Sequence, residues 1–418
     1  MALVALGCRV SRADVDALAG ELRGGFEIAR EGERADLVVV NTCALTSDAE
    51  SAARQAIRRA AREHPGARIV AAGCCAEVRP ESLARLPRVA AVVGARSGES
   101  VAAVVAGLGG VPAVLASAGL AGFAAGPARH TRPFLKVQDG CDRRCAFCVV
   151  PAARGPSRSL PQEEALRRLA LLGERHHEVV LTGVHLGGYG RDLAPRSSLE
   201  ALVREAARRR LVRRLRLSSI EPGEVPLRLL RDPGAEGVLC EHFHLPLQSG
   251  SARVLRAMRR PGSARRFRRA VEAIAAAAPA ACIGTDVLAG FPGESDADHR
   301  ETVALLEPLP LAHLHVFPFS PRPGTPAADM PGAVPSRVVK ERVRELLELS
   351  DRKWRAYLAA QVGRELEVVV ERTAGGVARG TAGNYVTVGW PLAGERRGEA
   401  ARVRVVGADG EECVGVRA

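Results

Sequence analysis

The stretch that decides the architecture is Phe134–Cys148, FLKVQDGCDRRCAFC. FLKVQ reads as a β-run, and the thiols of Cys141, Cys145 and Cys148 follow it with three and then two residues between them. Spacing this close lets one loop wrap three thiolates around a metal or cluster, leaving a fourth position open because no further cysteine stands nearby. A zinc knuckle completed by a distant ligand such as His242, or chance spacing, is the competing reading. The loop's place favours the open metal, because it begins an alternating series. Downstream come a helical stretch at 162–175, EVVLTG, a helix at 199–208, RRLRLSS, FHLPL, a helix at 263–278, CIGTDVLAG, a helix at 296–306 and AHLHVF. About six such βα units predict a partial (β/α)6 barrel with its site at the C-terminal ends of the strands.

Upstream, the first hundred or so residues alternate in the same way: ALVALG, a helix at 14–22, ADLVVVNTC, a helix at 48–63, ARIVAAGC and a helix at 81–86. This pattern predicts a separate parallel α/β sheet. Cys8, Cys43 and Cys74 each close one of its β-runs, so three chain-distant thiols should converge on one sheet edge, where open α/β sheets hold ligands. Beyond a helix over 335–360 the pattern turns to β-runs and glycines: RELEVVV, GNYVTVGW, ARVRVVG and ECVGVR. These predict a small all-β barrel. The expected division is 1–110 for the sheet domain, 111–130 for a linker, 131–361 for the central barrel and 362–418 for the C-terminal barrel.

The chain has 418 residues, 47% of them hydrophobic, enough for several packed cores and too apolar for disorder to dominate. Lys plus Arg number 60 against 47 Asp plus Glu, a net charge of +13, and the only lysines are Lys136, Lys340 and Lys353. Arginine, alanine and glycine richness follows from a GC-rich genome whatever the function. The position of the excess is more telling, because it falls almost wholly within 126–361, which fits a polyanionic partner such as nucleic acid. Ten cysteines are too sparse for a disulfide scaffold, and with no signal segment at the start the cytosol is expected. Ser100–Ala128 carries no charge, but it is built of Ala and Gly and broken by Pro112, so a linker rather than a membrane span is expected.

The three-and-two cysteine run resembles the radical S-adenosylmethionine superfamily. In that superfamily three cysteines hold a 4Fe-4S cluster, the free iron chelates S-adenosylmethionine, and one electron cleaves it to a 5′-deoxyadenosyl radical. The wider set LGCRVSRAD, VVNTCALT, AAGC, LTGVHLGGYGRDL, LRLSSIEP, HFHLPLQSGS, DVLAGFPGES and HVFPFSPRPGTPAA is similar to the methylthiotransferase family over essentially the whole chain. Its nearest likeness is to the branch acting on N6-threonylcarbamoyladenosine at position 37, in the anticodon loop of tRNA. On the same scaffold, other members act on isopentenylated adenosine 37 or on an aspartate of a ribosomal protein. A noncatalytic iron–sulfur or zinc RNA-binding protein is the alternative of a different class.

The resemblance implies two 4Fe-4S clusters, one on Cys141, Cys145 and Cys148 and an auxiliary one on Cys8, Cys43 and Cys74, with Cys75 the competitor of Cys74. Ser11 and Asp14 stand where the family usually has Asn and Glu. Carbon 2 of adenine has an unactivated C–H bond, which suits radical rather than acid–base chemistry. The family implies that one S-adenosylmethionine methylates the waiting sulfur and a second supplies the radical. Contacts to S-adenosylmethionine are expected from Gly183, Ser219, Glu221, Gln248 and Gly290, with a tight turn or loop-end hydrogen bonding as the alternative at each. His242 with His244, and His313 with His315, are expected as barrel-interior pairs, and Cys240, Cys282 and Cys413 as buried structural thiols. The arginines at 208–216 and 253–269 read as solvated helix faces or phosphate clamps. The C-terminal β-segment resembles a TRAM domain, although it is electrically neutral, and Tyr385 and Trp390 could either stack on bases or pack in its core. A monomer is expected, with a reductant such as flavodoxin or ferredoxin; the sulfur donor is not readable.

Overall fold

The structure, a computed structural model, describes residues 1–22, 25–29, 32–97, 100–110, 130–232, 237–260 and 262–418. All but the last residue of the expected 111–130 linker lies outside the described residues.

The N-terminal region runs β1 (Ala2–Ala5), α1 (Arg9–Glu21), β2 (Leu37–Thr42), α2 (Ser47–Glu63), β3 (Arg68–Gly73), α3 (Cys74–Val78), α4 (Pro80–Ala84), β4 (Val89–Gly94) and α5 (Val101–Gly109). The strands pair in parallel in the order β1-β2-β3-β4. Helices cover both faces, which is why β2 reads as an unbroken apolar run. Val38, Val40, Ile69 and Ala71 pack with Ile57 and Ala60 of α2 on one side. Val39, Val70 and Ala72 pack with Val15 and Leu18 of α1 on the other. Thr46 caps α2 by accepting from the Ala49 amide at 3.1 Å. The first helix starts at Arg9, ahead of the expected Asp14, so that Cys8 is its N-cap residue.

The central region comprises β5 (Phe134–Asp139), α6 (Val150–Arg154), β6 (Arg158–Ser159), α7 (Gln162–Gly173), β7 (Glu178–Gly183), α8 (Leu199–Arg208), β8 (Arg214–Leu217), β9 (His242–His244), α9 (Ala252–Ala257), α10 (Ala264–Ala277), β10 (Cys282–Ala289), α11 (Asp296–Leu306), β11 (His313–Pro318) and α12 (Ser336–Ala359). Its strands form the sheets β6-β5-β7-β8 and β11-β10-β9, which meet through a bridge between Leu215 and Leu239. The result is an open partial barrel of parallel strands, with only β6 antiparallel. Leu135, Val137, Val179, Leu181, Leu215, Leu217, Phe243 and Ile283 pack outward in the core shared with the helices. The alternate positions, among them Lys136, Glu178, Arg214, Arg216, His242, His244 and Asp286, carry a polar interior. The first helix of the chain, α1, packs against β5 and β7.

The C-terminal region is a closed barrel of β12 (Glu365–Ala374), β13 (Val377–Ala382), β14 (Thr387–Pro391), β15 (Ala400–Ala408) and β16 (Cys413–Arg417) in the order β12-β13-β14-β16-β15. The strand β13, VARGTA, is absent from the expected runs because its residues are small and polar. Close packing selects them: a Cβ on Gly380 would come within 2.1 Å of the Val369 carbonyl. Trp390 is buried in this barrel's core with Val388 and Val403 and presents no ring to RNA. Tyr385 instead leaves its own barrel and enters the central one. There it stacks on His242 at 4.2 Å, with the Arg216 guanidinium 5.3 Å from its ring centre.

A buried ionic group fastens the two barrels together. Glu178, fully buried, accepts from Arg214 at 2.8 Å and from Arg216 at 2.6 Å. The same guanidiniums reach across to the carbonyls of Glu367, Thr381, Ala382 and Gly383. Burial alone would raise the Glu178 pKa, but Arg216 and Arg214 outweigh it and hold the carboxyl down at about 2. Arg214 and Arg216 are therefore neither solvated helix face nor phosphate clamp, because strand alternation turns them inward. Glu178→Gln should cost about 3–5 kcal/mol by leaving buried cations uncompensated, read as a lower urea midpoint and easier proteolytic release of the C-terminal barrel. A depressed folded pKa contributes stability above the unfolded value of 4.5 that is lost as pH falls towards 2. The gap between wild type and variant should close over that window.

Candidate active site

Cys8 follows β1, Cys43 follows β2 and Cys74 opens α3 directly after β3, so neighbouring parallel strands bring the three thiols to one sheet edge. Gly7 makes the approach possible: it sits at φ 95°, and a Cβ there would fall 2.8 Å from the Cys43 sulfur. Cys8 and Cys74 both lie close enough to Cys43 to act on its charge. Cys75 is fully buried, whereas Cys74 accepts a hydrogen bond from Arg154 Nε at 3.2 Å. Ser11, also buried, has its hydroxyl 3.8 Å from the Cys8 sulfur, and its carbonyl accepts from the Asn41 amide at 2.9 Å.

The second triad lies on the loop after β5. The backbone pins this loop at both ends, Cys141 N donating to Gly155 O at 3.0 Å and Ala146 N to Met258 O at 2.8 Å. Its Arg143 lies 3.1 Å from Glu221 and donates to Glu224 at 3.0 Å; Glu221 in turn accepts from Arg260 at 2.8 Å. These groups, with Pro246 and Leu247, line a pocket of about 200 Å³. Burial pushes the Cys148 thiol up to about 12 and Cys43 up to about 11, so neither is a thiolate without a nearby cation. A bound metal ion would supply that cation, and its binding would release the protons. Cys8, Cys43 and Cys74, with Cys75 beside them, form one set of free thiols and Cys141, Cys145 and Cys148 another, a donor chemistry that suits iron–sulfur ligation.

Arg154 connects the two triads. It ends the short helix α6, which leads out of the second loop, and it touches Cys74 of the first triad. Its other nitrogens donate to Asp139 at 3.1 Å and to Asp14 of α1 at 2.7 Å. Lys136 donates to Asp139 at 2.9 Å and also to Asp14. The result is a charge-balanced group of two cations and two carboxylates between the N-terminal sheet and the barrel. Burial alone would raise the Asp14 and Asp139 pKa values, but Arg154 and Lys136 more than offset it and keep both carboxyls ionised. None of this was read from the sequence. The available signal was charge inside strands, as in FLKVQD and RRLRLSS, where a parallel sheet has no solvated face.

The other expected positions divide. Gln248 holds a left-handed backbone, φ 75°, fixed by hydrogen bonds in both directions to β10, and its side-chain amide makes no hydrogen bond among the described residues. Glu221 lies in the pocket beside the second triad. Gly183 abuts the side chain of Gln138, and Gly290 has φ 82° with Val339 of α12 where a Cβ would be, so packing accounts for both glycines. Ser219 is exposed; its neighbour Ser218, in phase with Arg214 and Arg216, is the buried one, and among the described residues its hydroxyl has no partner. Cys240, Cys282 and Cys413 are buried. His244, His313 and His315 come together with ring nitrogens within 4.8 Å of one another, close enough for a metal ion. Asp286, 2.8 Å from His244 and 3.4 Å from His315, supplies a protein partner for that cluster.

A cleft of about 550 Å³ opens at Cys8 between the three regions, lined by Arg9, Arg12, Arg132, Arg216, Tyr385 and Arg397 among others. Among the described residues no helix is long and apolar enough to cross a membrane.

An open parallel barrel with a three-cysteine loop after its first strand defines an iron–sulfur enzyme that binds S-adenosylmethionine, and residues 135–306 match the radical SAM superfamily model. Residues 1–94 match the model described as uncharacterized protein family UPF0004. Over 381 residues the chain is 36% identical to the threonylcarbamoyladenosine tRNA methylthiotransferase MtaB of Aquifex aeolicus, covering 88% of this chain and 92% of that one. It is 35% identical to the tRNA-2-methylthio-N(6)-dimethylallyladenosine synthase of Parafrankia sp. (strain EAN1pec), covering 87% and 76%. The fold is similar to that of the radical S-adenosylmethionine methyltransferase TsrM of Kitasatospora setae, with TM-score 0.56 and 16% identity over 78% of this chain and 76% of that one. The chain belongs to the radical SAM methylthiotransferase family.

Proposed function

We propose that this enzyme adds a methylthio group to carbon 2 of N6-threonylcarbamoyladenosine at position 37 of tRNA. The observation that carries the reading is the pair of cysteine triads linked through Arg154, one on the edge of the N-terminal sheet and one at the barrel mouth. The 36% identity to the MtaB relative favours threonylcarbamoyladenosine as the acceptor. Cys141, Cys145 and Cys148 would hold one 4Fe-4S cluster, and Cys8, Cys43 and Cys74 the other. When bound, the first would supply one-electron reducing chemistry and the second iron–sulfur chemistry for the group transferred.

The chain's own part is positioning. Arg154, Asp14, Asp139 and Lys136 lock the N-terminal sheet against the barrel, setting the separation of the two triads before substrate arrives, which is how proximity lowers a barrier. Glu221 and the free amide of Gln248 offer an acceptor and a donor to the amino acid or ribose of S-adenosylmethionine; Gly183 and Gly290 shape the strand ends around it, and Ser218 is better placed than Ser219. The anticodon loop is the part of tRNA from which a base can be splayed out cheaply.

The test is anaerobic. Reconstituted enzyme is given S-adenosylmethionine, a low-potential reductant and tRNA bearing threonylcarbamoyladenosine, and the digested nucleosides are weighed. A methylthio mass gain on that nucleoside is the expected result. A gain only on isopentenyladenosine or on a ribosomal protein would overturn the substrate, and zinc in place of iron with no S-adenosylmethionine cleavage would overturn the chemistry.

A further inference from the structure

The cleft that opens at Cys8 gathers arginines from all three regions of the chain. Most of them are already engaged. Arg216 donates to Glu178 at 2.6 Å, Arg132 to Glu371 at 2.6 Å, and Arg397 to the Thr131 hydroxyl at 3.0 Å. Arg12 is exposed. Arg9 differs from all of these. It is half-buried, no carboxylate pairs with it among the described residues, and the charges nearest it are the like charges of Arg216 and Arg132. Its side chain reaches the Tyr385 phenol, contributed by the C-terminal barrel, and both line the cleft. That phenol is itself held rigidly. The ring lies against His242 and Arg216, and Tyr385 keeps a left-handed φ of 68° that a non-glycine residue adopts at a cost. An uncompensated guanidinium beside a fixed hydroxyl, facing a cleft, is a site for a carboxylate.

Resting on the substrate reading above, we propose that Arg9, with the Tyr385 hydroxyl beside it, receives the carboxylate of the threonyl substituent and so selects the threonylcarbamoylated adenosine. Carbon 2 and carbon 6 both flank N1 of the adenine ring, and the bonds they carry outward diverge. A base that turns carbon 2 towards Cys8 therefore sends its N6 substituent to one side of Cys8, within the cleft that Arg9 and Tyr385 also line. Neither unmodified nor isopentenylated adenosine carries an anion there, so both would leave Arg9 unpaired and bind less well.

The test is binding by the reconstituted holoenzyme, followed by fluorescence anisotropy, to three anticodon stem-loop RNAs that differ only at adenosine 37: unmodified, threonylcarbamoylated, and the methyl ester of the latter. The wild type should prefer the free acid over both others by about tenfold or more, the worth of a charge-assisted pair. Arg9→Met should abolish that preference while leaving affinity for the unmodified loop unchanged, which also shows that the variant is folded. Arg9→Lys should keep part of the preference, and Tyr385→Phe should lose part of it. Equal weakening of all three RNAs by Arg9→Met would mean a backbone phosphate contact and would overturn the proposal, as would a preference that survives intact. A wild type that forms the methylthio product yet binds acid and ester alike would overturn the subsite and leave the substrate reading standing. A wild type that modifies only isopentenyladenosine would overturn the substrate reading itself.

Discussion

Cys145→Ala is expected to bring reductive cleavage of S-adenosylmethionine to background and to lower bound iron from about eight to about four per chain, since three thiolates are the fewest that hold such a cluster. The remaining iron should be that of the N-terminal triad. Cys8, Cys43 and Cys74 follow strands that pair with one another, and what the barrel adds to their core, Val149 and Ala153, comes from beyond Cys148 rather than from position 145. The loop around Cys145 keeps its backbone ties to Gly155 and Met258 whatever side chain stands at that position. Iron and sulfide analysis together with 5′-deoxyadenosine quantitation checks the outcome. Loss of all iron, or cleavage above background, would show that the triads do not assemble separately.

The reciprocal variant, Cys8→Ala with Cys43→Ala, is expected to abolish methylthio product while leaving S-adenosylmethionine cleavage within about threefold of wild type, an effect of roughly 0.7 kcal/mol on the barrier. The split follows from where the residues sit. Glu221 and Arg260 lie beside the loop of the barrel triad, joined to it through Arg143, and are far along the chain from Cys8 and Cys43. The ion group of Asp14, Asp139, Lys136 and Arg154, which joins the two regions, does not depend on either substituted thiol. Loss of both activities in a folded protein that still holds half of its iron would contradict a division of labour between the triads.

Much of the architecture was legible in the chain itself because it is written in local periodicity. Strand and helix alternation gave three regions, and residue spacing placed Cys8, Cys43 and Cys74 at the ends of β-runs. The misses share one cause. The strand β13 escaped because small polar residues carry no β signal until packing explains them. That Ser218 is buried and Ser219 exposed is likewise hidden in a motif read as a string, which has no inside and outside until strand alternation is anchored by Arg214 and Arg216. Arg214 and Arg216 themselves looked like surface charge because their partner, Glu178, lies on another strand.

What the amino-acid sequence shows by itself, then, is most of the elements and the close-spaced cysteine run, since two or three intervening residues keep Cys141, Cys145 and Cys148 on one loop. The tertiary structure alone decides how the two centres are held relative to one another. Arg154 meets Cys74 and Asp14, Tyr385 enters the neighbouring barrel, and Arg9 meets no carboxylate among the described residues. Each of these pairings joins residues distant along the chain. Their energies depend on burial, where an unpaired charge is costly and a paired one is tolerated, and burial is a property of the folded molecule.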